Sequence, residues 1–155
     1  MSNTTLTTAS PLETHIGFWL RFVSNQVSSR FQKLLEEHGT TVTEWVAMRT
    51  LYAREDVTHA ELINALGMTK GAASKILSKL EGKALIERRF AENSAKVQVL
   101  RLTEKGNALL PVLAALADAN DAFFFGHLDE TQQQALLTLM QELVNYHQLQ
   151  QLPLN

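Results

Sequence analysis

Gly71, Ser74, Lys75, Ser78 and Lys79 fall at offsets of three and four, so on a helix they share one face, with Lys70 at its entrance. That face is thin, hydroxylated and cationic. Such a set suits the major groove of duplex DNA. Small side chains permit close approach, hydroxyls meet base edges or phosphate, and ammonium groups neutralise the backbone. The same pattern on an isolated helix also describes an ordinary solvated face, so the surrounding elements must decide. Positive charge continues downstream with Arg88, Arg89 and Lys96: residues 66–101 hold eight basic and three acidic side chains, against a net −2 for the whole chain. One basic segment supplies an electrostatic footprint for a polyanion even when the total charge does not.

The elements that must position this face read clearly. Thr58 and Glu61 have the spacing of a capping box, and Ala60, Leu62, Ile63, Ala65 and Leu66 give one short helix. Leu66-Gly67-Met68-Thr69 then breaks it, with Gly67 free to take positive φ and Thr69 able to cap the next helix. The spacing predicts that helix over Lys70 to Lys83, burying Ala73, Ile76, Leu77 and Leu80. Residues 85–89 and 97–102 alternate apolar and polar like half-buried strands, separated by the polar loop 90–96. Helix, turn, helix and hairpin together make a winged helix. In that frame Thr69 and Lys70 meet phosphate at the helix start, and Arg88, Arg89 and Lys96 anchor the wing to backbone or minor groove.

The flanks are helical. Leu12, Ile16, Trp19, Val23, Val27, Phe31, Leu34 and Leu35 predict one long helix from Leu12 to His38, widened by Phe18, Leu20 and Phe22 and stopped at Gly39. That stripe is broader than one small domain needs, which points to burial against a second chain. Thr41 and Glu44 form another capping box before a helix running to Tyr52. Thr103 opens a further helix whose apolar spacing crosses Pro111, predicting a kink and not a break. Gly126 ends it, and Asp129 caps a last helix carrying Leu136, Leu139, Met140, Leu143 and Val144. Leu149, Leu152 and Leu154 then imply a tail packed on a partner subunit. Residues 106–155 contain five acids and neither Lys nor Arg, so this third should face away from DNA.

Other chemistries find little support. With no cysteine, disulfides, thiolate metal sites and cysteine-based redox sensing are excluded. His15, His38, His59, His127 and His147 make no zinc-motif spacing, and no nucleophile elbow, phosphate loop or dinucleotide fingerprint occurs. The expectation is a protein that is not an enzyme and holds no metal or cofactor. Met1 to Pro11 lacks the basic and apolar parts of a signal peptide, and the longest apolar run, Ala108 to Ala117, is too short to span a bilayer. A cytoplasmic protein without membrane attachment is therefore expected.

The runs Glu44-Trp45, Glu61-Leu62…Leu66-Gly67, Lys75-Ile76-Leu77…Leu80-Glu81, Leu85-Ile86-Glu87-Arg88 and Leu102-Thr103-Glu104-Lys105-Gly106 resemble the MarR family of bacterial transcriptional regulators. The resemblance extends from about Leu12 to Leu149. Its most specific marker is Leu102-Thr103-x-x-Gly106, which closes the wing into a long helix. It implies a mainly α fold with a small β-hairpin wing: a winged helix-turn-helix DNA-binding domain over 39–103 and a helical dimerisation region from 1–38 and 104–155. It further implies a homodimer on a pseudo-palindromic, double-stranded DNA operator, a repressor or an activator with the repressor preferred, answering to a small ligand for which an aromatic effector is expected. The implied pocket lies where the dimerisation helices meet the winged domain, with Trp19, Phe22, Phe31, Trp45, Met48 and Arg49 as its lining. An arginine beside aromatics suits a phenolic carboxylate. The plainer reading of the same residues is an aromatic core with a surface arginine.

Two positions depart from the family. The wing-tip Asp-Arg pair is replaced by Ser94 and Ala95, leaving Lys96 or Arg89 for the minor-groove role, and the glycine that ends the recognition helix is Ala84. The missing arginine and negative total charge support one alternative, a winged-helix adaptor that binds protein without specific DNA binding.

Overall fold

Four helices start on a threonine whose hydroxyl accepts a first-turn amide: Thr41 before α2 (Val42–Leu51), Thr58 before α3 (His59–Leu66), Thr69 before α4 (Lys70–Gly82) and Thr103 before α5 (Glu104–Phe125). Each cap satisfies a donor that the helix cannot satisfy itself. Among the described residues only Asp129, before α6 (Glu130–Tyr146), forms the full reciprocal box, with Gln132. Glu44 and Glu61, read from the sequence as partners in such boxes, are used elsewhere: Glu44 binds Lys83 and Glu61 pairs with Arg54. These assignments come from a computed structural model that describes residues 8–150 and 153–154.

The long first helix is shorter than its apolar stripe suggests. Leu12–Thr14 is a separate 3-10 turn, and α1 runs from Ile16 to Glu36. The break at His15 follows from local bonding, since the Thr14 hydroxyl donates to the Pro11 carbonyl at 2.7 Å and the His15 amide to Leu12. Trp19 Nε1 donates back to the Glu13 carbonyl at 2.8 Å and braces the turn against α1. Gly39, at φ 69°, turns the chain into α2.

The wing holds one strand more than the sequence suggests. β2 (Ile86–Phe90) and β3 (Gln98–Leu102) pair antiparallel from Ile86↔Leu102 to Phe90↔Gln98, and β1 (Val57–Thr58) adds to the other edge of β3. A two-residue strand is too short to leave a periodic signature. Leu35, Met48, Leu51, Leu62, Leu66, Leu77, Leu80, Leu100, Leu110 and Leu113 are at most 1% exposed, so one core joins α1 and α5 to the winged segment.

α5 stays continuous through Pro111, as the apolar spacing predicts. Pro111 and Asn107 are both exposed, so water can reach the carbonyl that the proline leaves without a donor. Its most apolar window has a mean hydropathy of 1.5, long and apolar enough by composition to cross a bilayer, which the uninterrupted run did not reveal. Yet α5 packs along α1 with Leu110, Leu113 and the polar Asn120 buried, so protein contact accounts for part of that apolar surface. α6 buries no residue in its own chain, and Leu136, Leu139, Met140, Leu143 and Val144 all lie open along it.

At the α4–β2 corner Ala84 occupies the left-handed region at φ 60°. The Leu85 amide bonds the Leu80 carbonyl and the Ala84 amide bonds Glu81, both at 2.9 Å, which is a Schellman closure with alanine where glycine is favoured. The left-handed conformation costs a non-glycine residue about 1–2 kcal/mol. Ala84→Gly should therefore stabilise the protein by about 1 kcal/mol after glycine's greater unfolded-state entropy is subtracted. A denaturant midpoint that falls would contradict this account of the corner.

Candidate nucleic-acid interface

α4 is held at both ends and along its inner side. Gly67, at φ 64°, closes α3 by donating to the Ile63 carbonyl at 3.0 Å, and the Thr69 hydroxyl accepts the Ala72 amide at 3.2 Å. Ala73, Leu77 and Leu80 are fully buried. The predicted contact face is accordingly turned outward: Thr69, Lys70, Gly71, Lys75, Ser78 and Lys79 are exposed and Ser74 is half-buried. Gly71, Ala72, Ser74, Lys75 and Ser78 line an open groove of about 560 Å³. Among the described residues Lys70, Lys75 and Lys79 make no ion pair. An unpaired lysine keeps its charge available for a phosphate.

The wing arginines are different. Arg88 pairs with Glu81 at 2.5 Å and Arg89 with Asp56 at 2.6 Å, while Arg101 pairs across the hairpin with Glu87. Successive strand residues point to opposite faces, and each arginine meets an acid on its own side. The hydrogen bond and charge of Asp56 hold the Arg89 guanidinium above its ordinary pKa. Both residues were expected to anchor the wing to DNA; a phosphate would first have to displace a carboxylate. Lys96 stays exposed in the loop, where its amide donates to the Ser94 hydroxyl at 3.1 Å.

Sequence spacing did not reveal how the end of α4 is fixed. Lys83 Nζ donates to the Gly39 carbonyl at 2.8 Å and to Glu44 Oε2 at 2.7 Å, and the Glu44 side chain is only 3% exposed. From the other side the Thr103 hydroxyl donates to the Ala84 carbonyl at 2.7 Å and Lys105 Nζ to the Lys83 carbonyl at 3.0 Å. α4 is thus clamped between the α1–α2 corner and the first turn of α5.

His59, at the start of α3, has its pKa lowered by partial burial, then by the charges of Arg88 and Lys70. The unfolded chain therefore takes up this proton first, at the ordinary value of 6.5. The stability at stake is present above that pH and is lost as pH falls through it toward the lower folded value. His59→Gln should flatten the melting temperature between about pH 7 and 5 relative to the parent chain. Parallel curves for the two proteins would remove His59 as the source.

A cleft of about 280 Å³ lies between α1, α2 and α5, with Phe31, Trp45, Asn120, Asp121 and Pro153 among its lining residues. The Phe31 and Trp45 rings meet edge-to-face at 6.3 Å. Buried Asn120 accepts from Arg30 at 2.9 Å and donates to the Val27 carbonyl at 3.1 Å. The remaining residues expected to line a ligand site are not gathered here. Met48 is 0% exposed in the core, and Arg49 lies on the surface with its guanidinium 5.7 Å from the Tyr52 ring. Trp19 and Phe22 cluster with Phe18 and are half-exposed. The spacing that puts these side chains on helices does not say which helix faces which neighbour. The leucine tail is only partly visible: Leu149 is exposed, the Thr43 hydroxyl donates to the Leu154 carbonyl at 3.3 Å, and Leu152 lies outside the described residues.

Residues 38–96 match the MarR family model. The chain is 24% identical over 126 residues to the Escherichia coli transcriptional regulator HosA, covering 81% of this chain and 92% of that one. Its fold matches Staphylococcus aureus MepR in complex with DNA, with TM-score 0.73, 19% identity and coverage of 85% and 98% of the two chains. It likewise matches Bordetella bronchiseptica BpsR, whose DNA binding is regulated by 6-hydroxynicotinic acid, with TM-score 0.74, 16% identity and coverage of 88% and 97%. The family match spans α2 through the wing loop, the segment that carries the outward lysine face, and the fold extends the likeness into the flanking helices: over residues 38–96 the chain is similar to the MarR family of transcriptional regulators.

Proposed function

We propose that the chain acts as a homodimeric repressor on a pseudo-palindromic operator in the cytoplasm, with α4 of each subunit in a major groove. The observation that carries this reading is the exposed face Lys70, Gly71, Lys75, Ser78 and Lys79, whose lysines have no ion-pair partner among the described residues. Half-sites would lie about one DNA turn apart. Lys96 serves the wing, while Arg88 and Arg89 chiefly stiffen it. Residues 39–103 form the DNA-binding part; 1–38 and 104–155 supply the dimer contact, where the open leucines of α6 support an apolar interface. A small aromatic molecule in the Phe31–Trp45 cleft would bias the separation of the two α4 helices, because affinity requires both to fit at once. BpsR, a protein of the same fold whose DNA binding is regulated by 6-hydroxynicotinic acid, supports a ligand-responsive reading of the chain.

Binding to the upstream intergenic DNA of its own gene, measured against random duplex over a salt series, tests the proposal. Selective binding with a steep salt slope is expected, and Lys79→Ala should lower that slope by about one phosphate contact. A mutant that loses discrimination at unchanged slope would reassign Lys79 from phosphate to base. Weak and equal binding to all genomic fragments at low salt would favour the protein-binding adaptor.

A further inference from the structure

We propose that the Phe31–Trp45 cleft takes an aromatic cation, such as a protonated aryl amine, and not an aromatic carboxylate. The inference rests on the reading of this cleft as the effector site. Among the described residues Asp121, on the exposed side of α5, is the one ionisable side chain in its lining. Among the described residues no cation forms an ion pair with it. Arg30 is bound to Asn120 at 2.9 Å and lies over the Phe123 ring at 4.1 Å, and Arg49 lies on the surface near Tyr52. The α5 wall contributes no cation beyond Lys105, at its far end, and residues 106–155 contain none.

A carboxylate entering here would give up water to approach Asp121 without a compensating charge, which costs in proportion to its burial. An ammonium group would meet Asp121 directly and could also lie against the faces of Phe31 or Trp45. Burial and neighbouring Asp118 already push the Asp121 carboxyl above its ordinary pKa, as befits an acid with no cation beside it. The volume of about 280 Å³ suits one or two fused rings.

The test uses two probes of matched shape and opposite charge, 1-naphthylmethylamine and 1-naphthoic acid, titrated calorimetrically into the full chain at neutral pH. The amine should bind at least about tenfold more tightly, a difference of ~1.4 kcal/mol. Asp121→Asn should bring the two affinities together without changing the melting temperature. Ser28→Phe, which fills the cleft mouth from an exposed position on α1, should abolish amine binding. Equal affinities, tighter naphthoate, or a preference that survives Asp121→Asn would each overturn the cation assignment. If Ser28→Phe removes binding of both probes in those cases, the cleft remains the effector site and only its charge preference falls. Binding that ignores Ser28→Phe, or no binding of either probe at millimolar concentration, would overturn both readings.

Discussion

Replacing Gly106 by alanine should lower the unfolding free energy by about 2 kcal/mol, within the usual range for forcing atoms into a packed site. A Cβ at this position would lie 2.2 Å from the Leu85 carbonyl oxygen and 3.3 Å from Leu102 Cβ. The first of these neighbours is backbone, and the same oxygen accepts the Thr103 amide at 3.0 Å. The corner therefore cannot yield by rotating a side chain; α5 must lift away from the end of α4. That movement would disturb the Thr103–Ala84 and Lys105–Lys83 bonds that fix the end of α4. DNA affinity should fall even at temperatures where the mutant remains folded. Guanidinium denaturation followed by DNA titration checks both halves. A stability change under about 0.5 kcal/mol would mean that the corner relaxes freely and that Gly106 couples nothing.

Introducing glutamate at both Leu139 and Leu143 should convert the proposed dimer to monomer at micromolar concentration and abolish the proposed operator binding. The two residues are 58% and 52% exposed and lie four apart on α6, so they share one face. Burying a leucine against a partner contributes about 1.5–3 kcal/mol, and placing a carboxylate there adds a desolvation cost. The double substitution should thus weaken association by at least about a hundredfold. Because neither residue supports its own subunit's core, each chain should retain its helical content. Sedimentation together with circular dichroism separates these outcomes. A double mutant that stays dimeric would place the interface on α1 instead, where Ile16, Trp19, Leu20, Phe22 and Val23 are exposed.

The lysine face of α4 shows how far local reading reaches. Its direction follows from Ala73, Leu77 and Leu80, which lie three to four residues apart and must go inward together. The wing arginines show where that reading stops. Arg88 and Arg89 look like free cations beside a polar loop, but their partners Glu81 and Asp56 come from the end of α4 and the approach to β1. Glu44 is similar: three residues after Thr41 it fits a local box, yet its carboxylate is buried against Lys83, 39 positions away. Where a side chain has both a local and a distant partner available, the fold selects whichever bond survives desolvation better.

By itself, then, the chain's order of residues determined the helices of the DNA-binding segment, the threonine caps, the glycine turns at 39 and 67, the hairpin and the charge asymmetry. All of these depend on neighbours within a few positions or on simple sums. Only the tertiary structure decided that β1 edges the wing, that the wing arginines are paired, that Gly106 touches Leu85, and that Phe31 and Trp45 form a cleft with Asp121 and without Arg49. Those facts depend on which helix faces meet after the chain has turned, and helical periodicity fixes a face without naming what it faces.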